Sequence, residues 1–185
     1  MTDKQAPKYK VQPLGEQDRA AFHCGDKELD SYLLERASRD VRKNLSAVFV
    51  LLTEDDPQTI LGYYTLSSQE IEAENLPEKF RKHIGRYKRI GATLLGRLAV
   101  SQDQQGKKLG ELLLLDALRR SLESTEHVSS FAVVVDAKGE HVVKFYEKYG
   151  FILLSGNRLF LPMKTIQQLF PYAEKSERAS ESQIP

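Results

Sequence analysis

LGRLAVSQDQQGKKLGELLLLDAL, residues 95–118, decides how the rest of the chain is read. An apolar run of strand character breaks into a polar loop, and a leucine-rich helix follows at once. A loop between a parallel strand and a helix lies at the carboxyl end of a sheet, where open α/β sheets bind ligands. The first N–H groups of a helix lack internal partners, and the helix dipole favours an anion there. Gly106 and Gly110 let the backbone approach a bulky group, while Lys107 and Lys108 add positive charge. This is the chemistry of a phosphate cradle, and it suits a pyrophosphate better than a single carboxylate. Neither GxxxxGK[ST] nor GxGxxG is present, so a nucleotide P-loop and a dinucleotide fingerprint are both excluded. Taken alone, the residues fit equally well a glycine turn that merely joins strand to helix.

The remaining composition is that of an ordinary globular domain. The chain has 185 residues, 41% hydrophobic and 29% charged, with a formal net charge of +1. That charge neither demands nor excludes nucleic acid. No apolar run reaches the roughly 18–20 residues that span a bilayer. The opening MTDKQAPKYK has no apolar core, so a secretion signal is not expected. Cys24 is the only cysteine, so no internal disulfide can form, and a reducing cytoplasm is the expected home.

Outward from the opening stretch, periodicity and turn chemistry predict the elements. Residues 1–8 are expected to be a flexible start and 9–14 a short strand. Over 22–43, Gly25 makes a turn, Asp26 caps a helix, and Leu29, Leu33, Ala37 and Val41 are its buried face. Residues 47–53 and 59–67 read as a hairpin across EDDPQ, and 76–85 as a short helix with Pro77 in its first turn. A strand at 92–100, a helix at 108–123 apolar nearly all round, and a buried strand at 129–137 form a βαβ unit with parallel strands. A helix at 139–150 ends at Gly150, and strands at 151–154 and 158–164 close the domain. The predicted order is β-α-β-β-α-β-α-β-α-β-β. The fold class is therefore mixed α/β, a central twisted mixed sheet of about six to seven strands flanked by helices. One domain is expected over 9–172, and 173–185 reads as a disordered polar tail.

The second motif is KFYEKYGF, residues 144–151, a helix end with two tyrosines followed by a Gly-Phe strand start. In pattern and order, QGKKLG (105–110) and this segment resemble the GNAT superfamily of acetyl-CoA-dependent N-acetyltransferases. The resemblance covers about residues 9–164. It departs at Lys108, where a small residue is usual, and at Gly139, where many relatives carry asparagine. FHCGDKELDSYL (22–33), GYYTLS (62–67), LLGRLAV (94–100) and FLPMKTI (160–166) narrow it to the GNAT toxins of bacterial toxin–antitoxin pairs. Those enzymes acetylate the α-amino group of aminoacyl-tRNA and block translation, and their antitoxins are ribbon-helix-helix proteins.

The resemblance implies the following site. Gln105, Gly106, Lys107, Lys108, Leu109 and Gly110 hold the pyrophosphate of acetyl-CoA. Leu98, Ala99 and Val100 pair through their main chain with the pantetheine arm, one N–H facing the thioester oxygen. Tyr146 protonates the leaving sulfur, because a phenol of pKa about 10 is matched to a thiol. From the residues alone, Tyr146 reads first as packing at a helix end, and only the resemblance makes it the acid; Tyr149 is taken as structural. ATLLGRLAV (92–100) carries no carboxylate to serve as general base. An α-amine of pKa about 8, lowered further by esterification, is often already neutral, unlike lysine at about 10.4. The missing base therefore suits an aminoacyl ester.

The other reactive side chains read more plainly. The four histidines show no metal spacing, so no metal is expected; His141 alone shares a helix with Tyr146. Cys24 reads as a small buried residue, and Arg97 as an ion-pair partner or a substrate contact. KFRKHIGRYKRIG (79–91) holds six Lys or Arg and no Asp or Glu, with Phe80 and Tyr87 interleaved. Arg86, Lys88 and Arg89, extended by Arg36, are its expected tRNA grip; a solvated helix and loop is the plain alternative. The expected partners are aminoacyl-tRNA and a ribbon-helix-helix antitoxin, with a homodimer left open and no membrane. Two other functions stay open: acetylation of a polyamine, peptide or other small amine, and an inactive CoA-binding or antitoxin-binding module.

Overall fold

The computed structural model describes residues 7–171. The expectations for the first six residues and for the tail at 173–185 lie outside them. Seven strands are β1 Tyr9–Pro13, β2 Ala47–Thr53, β3 Gly62–Glu72, β4 Arg89–Val100, β5 Ala132–Asp136, β6 Ile152–Ser155 and β7 Arg158–Pro162. They form one mixed sheet in the order β1-β2-β3-β4-β5-β7-β6. The helices are α1 Lys27–Ser31, α2 Ala37–Arg42, α3 Glu78–Ile84, α4 Leu109–Ser124, α5 Glu140–Lys148 and α6 Met163–Leu169. The described residues divide into two compact units, 7–69 with 93–117 and 70–92 with 118–171. The long strands β3 and β4 each contribute residues to both.

In the first unit, β1 and β2 pair antiparallel from Tyr9↔Thr53 to Pro13↔Phe49, and β2 pairs with β3 from Ala47↔Leu66 to Leu51↔Gly62. Asp56 accepts the N–H groups of Gln58 and Thr59, both at 3.1 Å, an Asx turn that closes the predicted hairpin. The core gathers Phe22, Tyr32, Leu33, Val48, Val50, Leu52, Tyr63 and Ala99. Tyr63 is its centre, edge-on to Phe22 at 5.5 Å and stacked with Tyr32 at 6.3 Å. Its hydroxyl donates to the Leu29 carbonyl at 2.8 Å, so the ring is buried with its polar end satisfied. Tyr64 donates to Asp116 at 2.6 Å and so ties β3 to α4.

The first helix differs from the sequence reading. Asp26 caps it as expected, its carboxylate accepting the N–H groups of Glu28 and Leu29. The run then widens into a π-helical turn, Tyr32–Arg36, before α2. Leu33 and Ala37 keep the four-residue spacing across this turn, and Tyr32 joins them on the buried side. Tyr32, Leu33 and Ala37 are buried, but Val41 is exposed, contrary to the four-residue spacing. Helix α4 also departs from an all-round apolar burial. Leu109, Leu113, Leu114, Ala117, Leu118 and Ser121 are buried, while Leu112, Leu115 and Leu122 are half-buried.

In the second unit, β5 and β7 pair antiparallel from Ala132↔Pro162 to Asp136↔Arg158, closed by a two-pronged Arg158–Asp136 ion pair at 2.7 and 2.8 Å. Phe80 of α3 packs edge-on against Phe131 at 6.5 Å and Phe160 at 5.2 Å. Strands β3 and β4 run further than expected, to Glu72 and from Arg89. Ile71 is buried between exposed Glu70 and Glu72, the alternation of a one-sided strand. Arg89 pairs with Glu70 at 3.1 Å. The expected strand 158–164 stops at Pro162, and α6 takes over at Met163.

Candidate active site

The first unit carries the loop of the opening stretch. Strand β4 ends at Val100, a single 3₁₀ turn spans Gln102–Gln104, and α4 starts at Leu109. Helical bonding begins with the Leu112 N–H donating to the Lys108 carbonyl at 3.2 Å. The N–H groups of Leu109, Gly110 and Glu111 therefore precede the first helical bond. Gly106 sits at φ +80°, and a side chain there would meet nothing within 4 Å, so the loop is open on that side. Lys108 also takes a left-handed φ, +61°. This explains physically why a small residue suits that position: a side chain there costs about 1 kcal/mol of backbone strain. Lys107 donates to Gln104 at 2.9 Å. Gly110 lies over the half-buried Leu98 and Val100, whose methyl carbons would stand 3.9 Å from a Cβ at that position. Ala99 is buried, and its carbonyl would lie only 2.8 Å from a Cβ at Gly62, so the glycine lets β3 lie close against this stretch of β4.

The Gln105 side chain holds the loop in place. Its side-chain amide donates to the carbonyls of Cys24 and Val100, both at 3.1 Å. It fastens the end of β4 to the segment before α1, so it positions the loop. The same segment is seated by the Gln102 N–H donating to the His23 carbonyl at 2.9 Å. Asp30 holds it from the other side. Its carboxylate accepts the Cys24 N–H at 2.8 Å and lies 2.6 Å from His23 Nδ1. Burial pulls Asp30 upward, but the bonds from Cys24 and the neighbouring His23 outweigh it and leave its carboxyl below the usual range. Cys24 is half-buried, and burial with the Asp30 carboxylate pushes its thiol up to about 11. It is a neutral thiol at pH 7 and a poor nucleophile. No motif signals this clamp, since Gln105, Cys24 and Val100 meet only in the folded chain.

Arg97 of β4 stacks its guanidinium 3.6 Å from the centroid of Tyr32, and Arg36 lies 5.5 Å from the same ring. Arg97 thus makes a cation–π contact, where an ion pair or a substrate contact was expected. Arg36 is half-buried beside the same ring.

The second unit carries Tyr146 on α5. The helix ends at Gly150, which has φ +88° and donates to the Glu147 carbonyl at 2.9 Å, and Phe151 returns to the Tyr146 carbonyl at 3.3 Å. This is the glycine stop read from the sequence. Tyr146 is 6% exposed, wedged between Phe145 and Phe151, each 5.2 Å away. Its hydroxyl has no hydrogen-bond partner among the described residues. Burial pushes its phenol above the ordinary value, so it is a proton donor, not a phenolate, throughout the physiological range. Tyr149 packs on Phe145 at 5.3 Å, as a structural ring would. His141 is exposed on the same helix.

The basic stretch divides sharply. Phe80 is committed to the aromatic cluster of its unit, so it is not an interleaved RNA contact. Arg81, Lys82, Arg86, Tyr87, Lys88 and Arg89 are exposed. Lys82 pairs with Glu78 at 3.0 Å and Arg89 with Glu70. Arg86 and Lys88 have no carboxylate partner among the described residues. No group of His, Cys, Asp or Glu among the described residues is arranged to hold a metal, and no described helix is long and apolar enough to cross a membrane.

Comparison with known proteins joins these parts. A model of the acetyltransferase (GNAT) domain matches residues 41–161. The probable toxin TacT of Sinorhizobium fredii (strain NBRC 101917 / NGR234) is 31% identical over 180 residues, covering 91% of this chain and 99% of TacT. The solved structure of AtaT complexed with acetyl-methionyl-tRNAfMet superposes with a TM-score of 0.82 at 30% identity, covering 88% of this chain and 99% of AtaT. A tyrosine-to-phenylalanine mutant of AtaT, bound to the C-terminus of the antitoxin AtaR and to acetyl-CoA, superposes with a TM-score of 0.74 at 28% identity, covering 89% and 99%. The chain belongs to the GNAT acetyltransferase family.

Proposed function

We propose that the protein transfers the acetyl group of acetyl-CoA to the α-amino group of aminoacyl-tRNA, as the toxin of a toxin–antitoxin pair. The observation that carries this reading is the open, left-handed Gly106–Lys108 loop at the head of α4, in a chain similar over nearly its whole length to a toxin of that kind. The loop fits the group: unpartnered N–H groups, a glycine with free space above it and two lysines suit a pyrophosphate. When bound, acetyl-CoA supplies an acetyl thioester. The N–H groups of Gly106, Leu109 and Gly110 would hold its phosphates, and the main chain of Leu98, Ala99 and Val100 would hold its arm. Gln105 keeps the loop and the end of β4 in register. Tyr146 gives its proton to the sulfur as the carbon–sulfur bond breaks and the carbon–nitrogen bond forms. The amine's own proton passes to water, because β4 offers no carboxylate from Ala92 to Val100 and an esterified α-amine is largely neutral. The protein partner is proposed to be an antitoxin, expected from the family resemblance to be a ribbon-helix-helix protein.

Lys108→Gly tests the cradle. Relief of about 1 kcal/mol of left-handed strain, less about 0.5 kcal/mol for the extra freedom of unfolded glycine, should raise the urea midpoint slightly. Loss of the ammonium should weaken acetyl-CoA binding several-fold at low salt and little at high salt. A variant that gains stability and keeps full affinity at low salt makes Lys108 a strained connector only.

The acceptor is tested with labelled acetyl-CoA against total charged tRNA, deacylated tRNA, polyamines and peptides. Label is expected on charged tRNA alone. Label on polyamines or peptides and never on charged tRNA overturns the toxin reading, and no label anywhere points to an inactive module. Arg86→Glu with Lys88→Glu should raise the KM for charged tRNA and flatten its log–log salt dependence by about 2. Arg89 is left unchanged in that variant, because it pairs with Glu70. Acetyl-CoA affinity should not change, since the phosphate loop is a separate anion site.

A further inference from the structure

We infer that Tyr87 is a stacking platform for an unpaired base of the RNA substrate, an inference that rests on the aminoacyl-tRNA reading above. The ring lies in the loop between α3 and β4 and is 72% exposed, the most exposed tyrosine among the large hydrophobic side chains left at the surface. It packs on no other aromatic ring among the described residues. The ring is solvated and is flanked in the chain by two cations, Arg86 and Lys88, so its face is open to a ligand. A nucleobase has a π-face, and its phosphates suit the flanking lysine and arginine.

The ring separates two surface hollows of different chemistry. One is lined by Glu72, Glu74, Arg81 and Lys88, two carboxylates beside two cations. The other, about 330 Å³, lies against Arg89, Ile90, Gly91, Ser129 and Phe131, and no carboxylate lines it. Its walls are apolar surface, the polar groups of Ser129 and Ser130 and the cationic side chain of Arg89. Gly91 keeps its floor low, because a Cβ there would already touch the Ser129 carbonyl at 3.6 Å. An unpaired base therefore seats in this second hollow with one face on Tyr87, and its backbone passes over Arg86 and Lys88. Base-paired RNA hides its faces and cannot enter.

The chain contains no tryptophan, so Tyr87→Trp creates a single fluorescent reporter at the site. Its emission should be quenched by tRNA and by a short single-stranded oligoribonucleotide, and much less by a blunt RNA duplex. Tyr87→Ala should raise the KM for charged tRNA about 5- to 100-fold, the range of a lost base stack. Tyr87→Phe should keep it, and the KM for acetyl-CoA should stay fixed in all three variants. If wild-type protein acetylates charged tRNA while Tyr87→Ala matches it and Tyr87→Trp is not quenched by single-stranded RNA, the stacking inference is overturned and the acceptor reading stands. Quenching by a protein partner without quenching by RNA gives the surface to that partner and also overturns the inference. Failure of the wild-type protein to acetylate any charged tRNA strikes the acceptor reading itself.

Discussion

Tyr146→Phe is expected to lower turnover by about 10²–10⁴-fold, the usual worth of a positioned general acid. The change removes one hydroxyl and almost no volume. Phe145 and Phe151 keep their ring contacts, and the lost hydroxyl leaves no partner orphaned among the described residues, so stability should shift by less than about 0.5 kcal/mol. Acetyl-CoA affinity should be kept, and growth inhibition by the expressed protein should be lost. The pH profile adds a second reading. The acid must be protonated to act, and burial raises its pKa above the ordinary value of about 10. Deprotonation of Tyr146 therefore cannot produce an alkaline fall in kcat below about pH 10. Any fall seen at lower pH belongs to another group and should persist in Tyr146→Phe. Steady-state kinetics across pH 6–10 checks both points; wild-type turnover in the variant would return Tyr146 to a packing role.

Gly110→Asp should abolish acetyl-CoA binding without unfolding the chain. Gly110 does not have a positive φ, and a Cβ there makes only ordinary contacts of 3.9 Å with Leu98 and Val100. An acidic residue in the first turn of a helix is favourable to the dipole, so α4 should be no weaker. The same carboxylate would stand among the N–H groups proposed to hold phosphate, where two anions repel and the cradle is filled. Gly110→Asn provides the control, matching the size without the charge. Calorimetry should show no detectable binding for Asp and partial binding for Asn, with both variants melting cooperatively near wild type. Unchanged affinity in folded Gly110→Asp would move the phosphate site elsewhere.

Local sequence determined the order of the elements, because local rules govern them. Continuous apolar runs rich in β-branched and aromatic residues specify β2, β5 and β7 whatever they face, Asp26 caps α1, and Gly150 ends α5 by its left-handed φ. The loop at 105–110 was legible for the same reason: glycines, lysines and a helix start lie side by side in the chain. Only the tertiary structure decided what each remaining side chain meets. Gln105 matched a ligand motif, yet its amide bonds to Cys24 and Val100, groups 81 and five residues away in sequence. Phe80 and Tyr87 look alike in a basic run, but α3 turns one into an aromatic cluster and the loop after it leaves the other in solvent. The four-residue apolar period of the first helix holds through the π turn at Leu33 and Ala37 and ends before Val41, which no neighbouring segment covers. The positive φ of Lys108 could not be read from a lysine, whose own preference opposes it; the path from β4 into α4 imposes it. Periodicity reports which face is apolar, whereas the partner of a polar or aromatic group is set by chain segments distant in sequence.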